Sequence, residues 1–382
     1  MSTTVIRLSR SVVGEAEAQA VARVLVEDGY LGMGQEVQAF EKEIAEFLGV
    51  PENWVICVNS GTAALHLAVQ AVTQPGDEVL VQSLTFVATF QGVRAAGAIP
   101  VACEVAPDTV TLDPEDARRR LSPRTKVVMP VHYASYPGQL DDMYAFAGQS
   151  GLRVIEDAAH AFGCRHKGKK IGADGDIVCF SFDGIKNITS GEGGAVVTGD
   201  PEAAQRVRDA RLLGVEKDTE KRYAGQRSWE FDVHHPGYRY HLSNVLAAIG
   251  RVQLRRFPGE LGPARVHLAR RYRQLLGDVP GLAWLNTKLD EIVPHIQPVR
   301  VLNGRRDALR DFLRREGIET GIHYQPNHLL SYFGGGRVSL PITERLYGEL
   351  LSLHLHPLLS DTDVTWICDR VTSFCSGRRE GA

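Results

Sequence analysis

At 382 residues, 43% of them hydrophobic and 23% charged, the chain has the composition of a folded globular protein and room for one large α/β domain plus a smaller one. A formal charge of -3 argues against a nucleic-acid or anionic-membrane partner, and no apolar run approaches the roughly 18 residues of a membrane span. The N-terminus lacks the charged-then-apolar pattern of an export signal, and the 6 cysteines are scattered with no C-x-x-C pair. They read as reduced core thiols, so a cytoplasmic location is expected.

In chain order, Val13, Ala16, Ala20, Val21, Val24 and Leu25 have the spacing of one helix face over 11–28. A glycine-rich loop, Gly29 to Gly34, follows and suggests an active-site rim; helical spacing restarts at Val37. The strand-like run Val55 to Val58 leads through Asn59-Ser60 into a helix beginning at Gly61-Thr62-Ala63. A small-residue turn before a helix start suits a bound phosphate, because free N–H groups and the positive helix end face it; a plain N-cap by Ser60 or Thr62 is the alternative. Strands near 79–81, 99–103, 127–131 and 153–156, with helices near 86–97 and 139–150, predict a mostly parallel sheet with ligands at its carboxyl edge.

The strand at 153–156 runs into Asp157, a carboxylate that either holds a heterocyclic nitrogen protonated or caps a helix, and His160 follows three residues on. Two further apolar runs, Ile177 to Phe180 and Ala195 to Val197, flank Ser181 to Gly194, where Lys186 is either a solvated turn residue or a Schiff-base amine. The run Glu216 to Arg222 reads as a solvated loop. Pro258 and Gly259 are expected to end a helix that starts at Val245, and a second helix covers about 263–277. Beyond it a smaller α+β unit is expected, with strands 292–301 and 320–324 and helices 305–316, 342–352 and 361–375. The domains are set at 1–255 and 256–382, with Pro280-Gly281 an alternative boundary. His323, His328, His354 and His356 invite a metal reading, but no acidic or cysteine partner has ligand spacing and no metal is expected.

Taken together, Asn59 to Leu65, Pro75 to Val79, Thr85-Phe86, Ile155 to His160, Ser181-Phe182 with Lys186, Gly191 to Gly194 and Gly237 to Tyr240 resemble the DegT/DnrJ group of PLP-dependent sugar aminotransferases, of the aspartate aminotransferase superfamily. The resemblance runs from about residue 10 to the C-terminus. It implies a large PLP-binding domain with a seven-stranded-type, mostly parallel sheet flanked by helices, and a homodimer with shared active sites. It makes Lys186 the amine of an internal aldimine with pyridoxal 5'-phosphate, and Asp157 the partner of the pyridinium nitrogen. His160 and Phe86 lie against the ring, while Ser60, Gly61, Thr62, Ala63 and Ser181 form the phosphate site. Arg239 stands where many members supply an asparagine from the neighbouring subunit, and Asp183 where many have histidine. Substrate contacts are expected from Tyr30, Met33, His323, Tyr324 and His328. The implied reaction moves an amino group from glutamate or glutamine to a keto group of a nucleotide-linked sugar, a 4-keto-6-deoxy sugar being favoured. A PLP-dependent sugar dehydratase is the alternative, disfavoured because its branch replaces the lysine, and a non-catalytic PLP-fold regulator is a third.

Overall fold

The structure is a computed structural model that describes residues 6–216, 218–226 and 229–377. Its main sheet is built from β1 (Val55–Val58), β2 (Glu78–Gln82), β3 (Ile99–Cys103), β4 (Thr125–Met129) and β5 (Arg153–Asp157). A short hairpin, β6 (Arg165–His166) and β7 (Lys169–Lys170), precedes the last two sheet strands, β8 (Ile177–Ser181) and β9 (Gly194–Thr198). The order across the 7-stranded sheet is β1-β9-β8-β5-β4-β2-β3. β3, β2, β4, β5 and β8 pair in parallel, and β9 runs antiparallel between β8 and β1. β1, β2, β5, β8 and β9 are almost wholly buried, as continuous Val/Ile-rich runs covered on both faces must be.

Helices α1 (Glu15–Arg23), α2 (Gln35–Leu48), α3 (Gly61–Val72), α4 (Val87–Ala95), α5 (Pro114–Arg119) and α6 (Leu140–Ser150) precede or connect these strands, and α7 (Pro201–Ala210) follows β9. On one face α2 packs Val37, Phe40, Ile44 and Leu48 with Phe162, Phe180 and Phe182; on the other α3 packs Leu65, Leu67 and Val69 with Val81, Ile155 and Val196. Next come α8 (Asp218–Tyr223), α9 (Asn244–Arg256) and α10 (Gly262–Leu276). The C-terminal part has an antiparallel 3-stranded sheet, β10 (Leu282–Ala283), β11 (Gln297–Val301) and β12 (Leu350–Leu353). Helices α11 (Arg306–Arg315), α12 (Pro341–Glu349) and α13 (Asp361–Cys375) complete it, and Leu309, Leu351, Val364 and Ile367 share its core with Leu268 and Tyr272 of α10.

Several local expectations are corrected. Pro258 and Gly259 do not end the helix begun at Asn244: a π-helical turn, Phe257–Leu261, carries it into α10. A wider turn accepts proline's missing N–H, and Phe257 is held between Phe47 and Phe162. The charged run after 216 is not a solvated loop. It contains α8, where Asp218 and Thr219 are buried and Arg222 pairs with Asp218; residue 217 lies outside the described residues. No strand forms at 320–324, where only Gly321 bridges Ser352. β11 starts at Gln297 rather than at 292, Pro294 having no N–H for a ladder, and α12 yields to β12 at Leu350.

Candidate active site

Three strand ends and one reversal converge at the carboxyl edge of the sheet. Their side chains line a cavity of about 350 Å³, within the range of ligand pockets. Ser60, Gly61 and Thr62 enter it from the start of α3, Phe86 and Thr89 from α4, and Asp157 and His160 from the end of β5. Ser181, Asp183, Lys186 and Glu192 come from the β8–β9 connection, and His323 and Tyr324 from the C-terminal part.

At the first corner, Ser60 Oγ accepts the Ala63 N–H at 3.1 Å, so the plain N-cap reading holds for Ser60. Helix geometry still leaves the Gly61 and Thr62 amides without an intrahelical acceptor. A Cβ on Gly61 would stand 2.7 Å from Ser181 Cβ, so only glycine lets the helix start approach β8 this closely. The turn is a bare backbone concavity at the positive end of α3, fitted to an anion. Ala63 itself is buried beneath it.

At the second corner, Asp157 Oδ2 accepts from Thr89 Oγ1 at 2.7 Å and Oδ1 from the Ala159 N–H at 3.2 Å. Burial pushes the carboxyl up, opposed by those two hydrogen bonds and by the charges of Lys186 and His132. A cationic ring nitrogen in the cavity would favour the anionic form further. Phe86 caps α4 half-open to solvent, its ring 5.4 Å from that of Tyr324.

Lys186 sits on a compact turn rather than in solvent. Its N–H bonds Asp183 O at 3.0 Å, and Asp183 Oδ1 accepts the Ile185 N–H at 3.3 Å, which gives Asp183 a place in the turn. The side chain runs inward until Nζ lies 3.4 Å from His295 Nε2. Burial draws the ammonium down from the ordinary lysine value to about 8, against the pull of Asp157 and Asp183. His160 and His295, 4.5 Å apart ring to ring, are held well below the usual imidazole range by burial and by the Lys186 charge. His160 Nε2 also meets Tyr324 Oη at 3.0 Å. Neutral imidazoles add no charge against the lysine.

Of the residues read from the sequence, Lys186, Asp157, His160, Phe86, Ser60, Gly61, Thr62, Ser181, His323 and Tyr324 share this cavity. Three of the expected substrate contacts do not line this cavity. Met33 is fully buried among Val37 and Phe40, held there by the hydrophobic core. His328 is buried between Ser83 Oγ, 2.7 Å from Nδ1, and Glu344, 3.2 Å from Nε2, where it pins the 323–328 loop to the end of β2. Tyr30 does not line the cavity, and its carbonyl is held by Asn244. Arg239 is exposed and outside the cavity of its own chain. Thr89, His295 and Arg265 were missed. Thr89 lies one turn after Phe86 on α4, a signal that could have found it; the other two come from far along the chain. Among the described residues no group of three or more His, Cys, Asp or Glu is placed to hold a metal ion, and no helix is long and apolar enough to cross a membrane.

An anion cradle, a carboxylate at a central strand end and an enclosed amine thus meet on one sheet edge. The chain belongs to the DegT/DnrJ/EryC1/StrS aminotransferase family, matched over residues 12–372. It is 35% identical to the spore coat polysaccharide biosynthesis protein SpsC of Bacillus subtilis, over 97% of each chain. The aminotransferase TlmJ from Streptoalloteichus hindustanus superposes with a TM-score of 0.89 at 35% identity, covering 97% of this chain and 99% of that one. The PLP-form of Spr1654 from Streptococcus pneumoniae gives 0.88 at 26% identity, over 98% and 99%. The family is one of PLP-dependent sugar aminotransferases.

Proposed function

We propose that this protein transfers an amino group from glutamate or glutamine to the keto group of a nucleotide-linked sugar, a 4-keto-6-deoxy sugar first among them, using PLP carried on Lys186. One observation carries the reading: the Lys186 amine, the Asp157 carboxylate and the Gly61 helix start line one cavity of about 350 Å³. When bound, the protonated pyridine ring supplies an electron sink for the charge left on a substrate carbon that loses its proton. Asp157 holds the ring nitrogen protonated, and Thr89 orients the carboxylate. The Gly61 and Thr62 amides and the Ser181 hydroxyl take the phosphate, and Phe86 covers a ring face. Lys186, enclosed and with its ammonium drawn down to about 8, offers a free amine and carries a proton on Nζ to and from the substrate carbon.

Arg239, exposed and outside its own chain's cavity, suits the phosphate of a neighbouring copy's site, which supports a homodimer with shared sites; the free, mostly buried cysteines fit the cytoplasm. The test is spectroscopic. The purified protein should show the absorption of lysine-bound PLP, and glutamate or glutamine should bleach it to the pyridoxamine form. Lys186→Ala should lose both. A protein without PLP, or a spectrum indifferent to amino donors, would sink the reading. A panel of keto nucleotide sugars, followed by mass spectrometry for gain of the amine, identifies the acceptor.

A further inference from the structure

A second cavity, of about 30 Å³, is lined by Ser9, Arg10, Ile185, His295, His323 and His356, and shares Ile185 and His323 with the cofactor cavity. That is room for about two waters, given the 10–15 Å³ one needs. His295 lines this second cavity and meets Lys186 and His160, which line the first. It is 4% exposed, with Nε2 3.4 Å from Lys186 Nζ. Its other nitrogen, Nδ1, is buried with no protein partner, as is His356 Nδ1. The residue is fixed at both backbone ends: its N–H donates to Ser135 Oγ at 2.8 Å, and its carbonyl accepts from Arg265 at 3.2 Å. Ser9 and Arg10 are exposed, so the cavity reaches the surface.

We propose that His295 is a proton relay that links Lys186 Nζ to water in the second cavity. An ammonium at Lys186 gives a proton to Nε2: the Nζ–H bond breaks and an Nε2–H bond forms. The Nδ1–H bond of the same ring then breaks toward a cavity water. The imidazole ends neutral, with its tautomer exchanged, and the proton leaves past Ser9 and Arg10. The reverse sequence returns a proton, so the amine adjusts its charge without a water on the substrate side. A distance of 3.4 Å is long for a hydrogen bond but within the looseness of catalytic pairs before a ligand tightens them. Asp157, Asp183, Arg265, His160 and His323 also act on the Lys186 charge or lie near it, so the effect of His295 must be isolated by substitution. The inference rests on the reading of Lys186 as the cofactor amine.

The experiment has one arm without cofactor and one with it. In the apoprotein, a pulse of acetic anhydride at successive pH values, read as Lys186 acetylation by peptide mass spectrometry, gives the amine's midpoint. His295→Phe removes the acceptor that supports the ammonium and should lower that midpoint by about one pH unit, whereas His295→Gln, which keeps an acceptor, should hold it. In the holoprotein, both variants should bind PLP yet convert it to the pyridoxamine form with glutamate about 100-fold more slowly. His295→Gly should regain rate with added imidazoles, more so with the more basic ones. A His295→Gln protein within about threefold of wild type, a midpoint unmoved by His295→Phe, or a loss that imidazoles do not repair would each overturn the relay. Failure of the wild type to hold PLP on Lys186 would instead remove the reading beneath it.

Discussion

Arg265 shows how a single side chain far along the sequence fixes the reacting one. It is almost fully buried on α10, and its guanidinium donates to the carbonyls of Ile185 and Lys186 at 3.3 Å each, of His295 at 3.2 Å and of Leu355 at 3.0 Å. Burial, with no carboxylate to offset it, draws its pKa down to about 10. It therefore ties the Lys186 turn to the His295 loop and to the C-terminal sheet. Arg265→Met keeps the bulk and strips four carbonyls of their donor. It should lower unfolding free energy by about 3 kcal/mol in urea titration, and it should also weaken PLP retention, measured as release on gel filtration. A stability loss with retention unchanged would mean that the guanidinium does not position Lys186. Arg265 also marks the limit of what the sequence discloses. Lys186, Asp157 and Gly61 stand at strand ends and a helix start, where local pattern brings them to notice. Arg265 sits mid-helix among other arginines, and His295 in a proline-flanked segment. Nothing within either window says that these two residues, 30 apart, meet at a lysine some 80 to 110 residues away.

Among elements, the start of α3 against the end of β8 controls the anion site. The alternation of apolar runs made this strand–turn–helix visible, since each run is continuous and short. Harder to read were places where tertiary packing overrides a local signal, as where Phe257 and the π-helical turn carry a helix through Pro258 and Gly259. Glycine is required at 61 for clearance, not for backbone freedom. Alanine there would put its Cβ 2.7 Å from Ser181 Cβ and 3.0 Å from Ser181 Oγ, and Gly194 stands as close to the Ser60 carbonyl, 2.6 Å from an added Cβ. Since alanine is the better helix former, Gly61→Ala should leave α3 and the far-ultraviolet circular dichroism intact. It should instead part the helix start from β8 and raise the Kd for PLP at least about tenfold, the value of one charge-assisted hydrogen bond. Fluorescence titration of the apoprotein measures it. Pyridoxal without phosphate should be affected far less, because the loss is confined to the anion contact.

At the scale of the whole molecule, the buried histidines set how the protein meets acid. Burial holds His241, His323 and His354 down to about 4 and keeps His160 and His295 well below the imidazole range. The sign follows from where protons bind. Between the unfolded value near 6.5 and the folded values near 4, the unfolded chain carries protons that the folded one refuses. On the histidines' account stability should therefore be level between pH 6.5 and about 8, where Lys186 begins to titrate, and fall as pH drops from 6.5 toward 4, above the range where paired carboxylates such as Asp116 and Glu17 lose their contribution. Asp157, raised instead of lowered, opposes this as it takes up a proton. His354 isolates the effect: it is fully buried, does not line the cofactor cavity, and donates through Nε2 to the Ile6 carbonyl, 2.9 Å away. Since that carbonyl can only accept, Nε2 carries the proton and a glutamine N–H can replace it. At pH 5, His354→Gln should remove roughly 2 kcal/mol of the acid-induced loss, at about 1.4 kcal/mol per pH unit below 6.5, and leave stability at pH 8 nearly unchanged. Urea midpoints at pH 5 and pH 8 measure both. If the variant lost stability in acid as steeply as wild type, the buried histidines would not be the source of the slope.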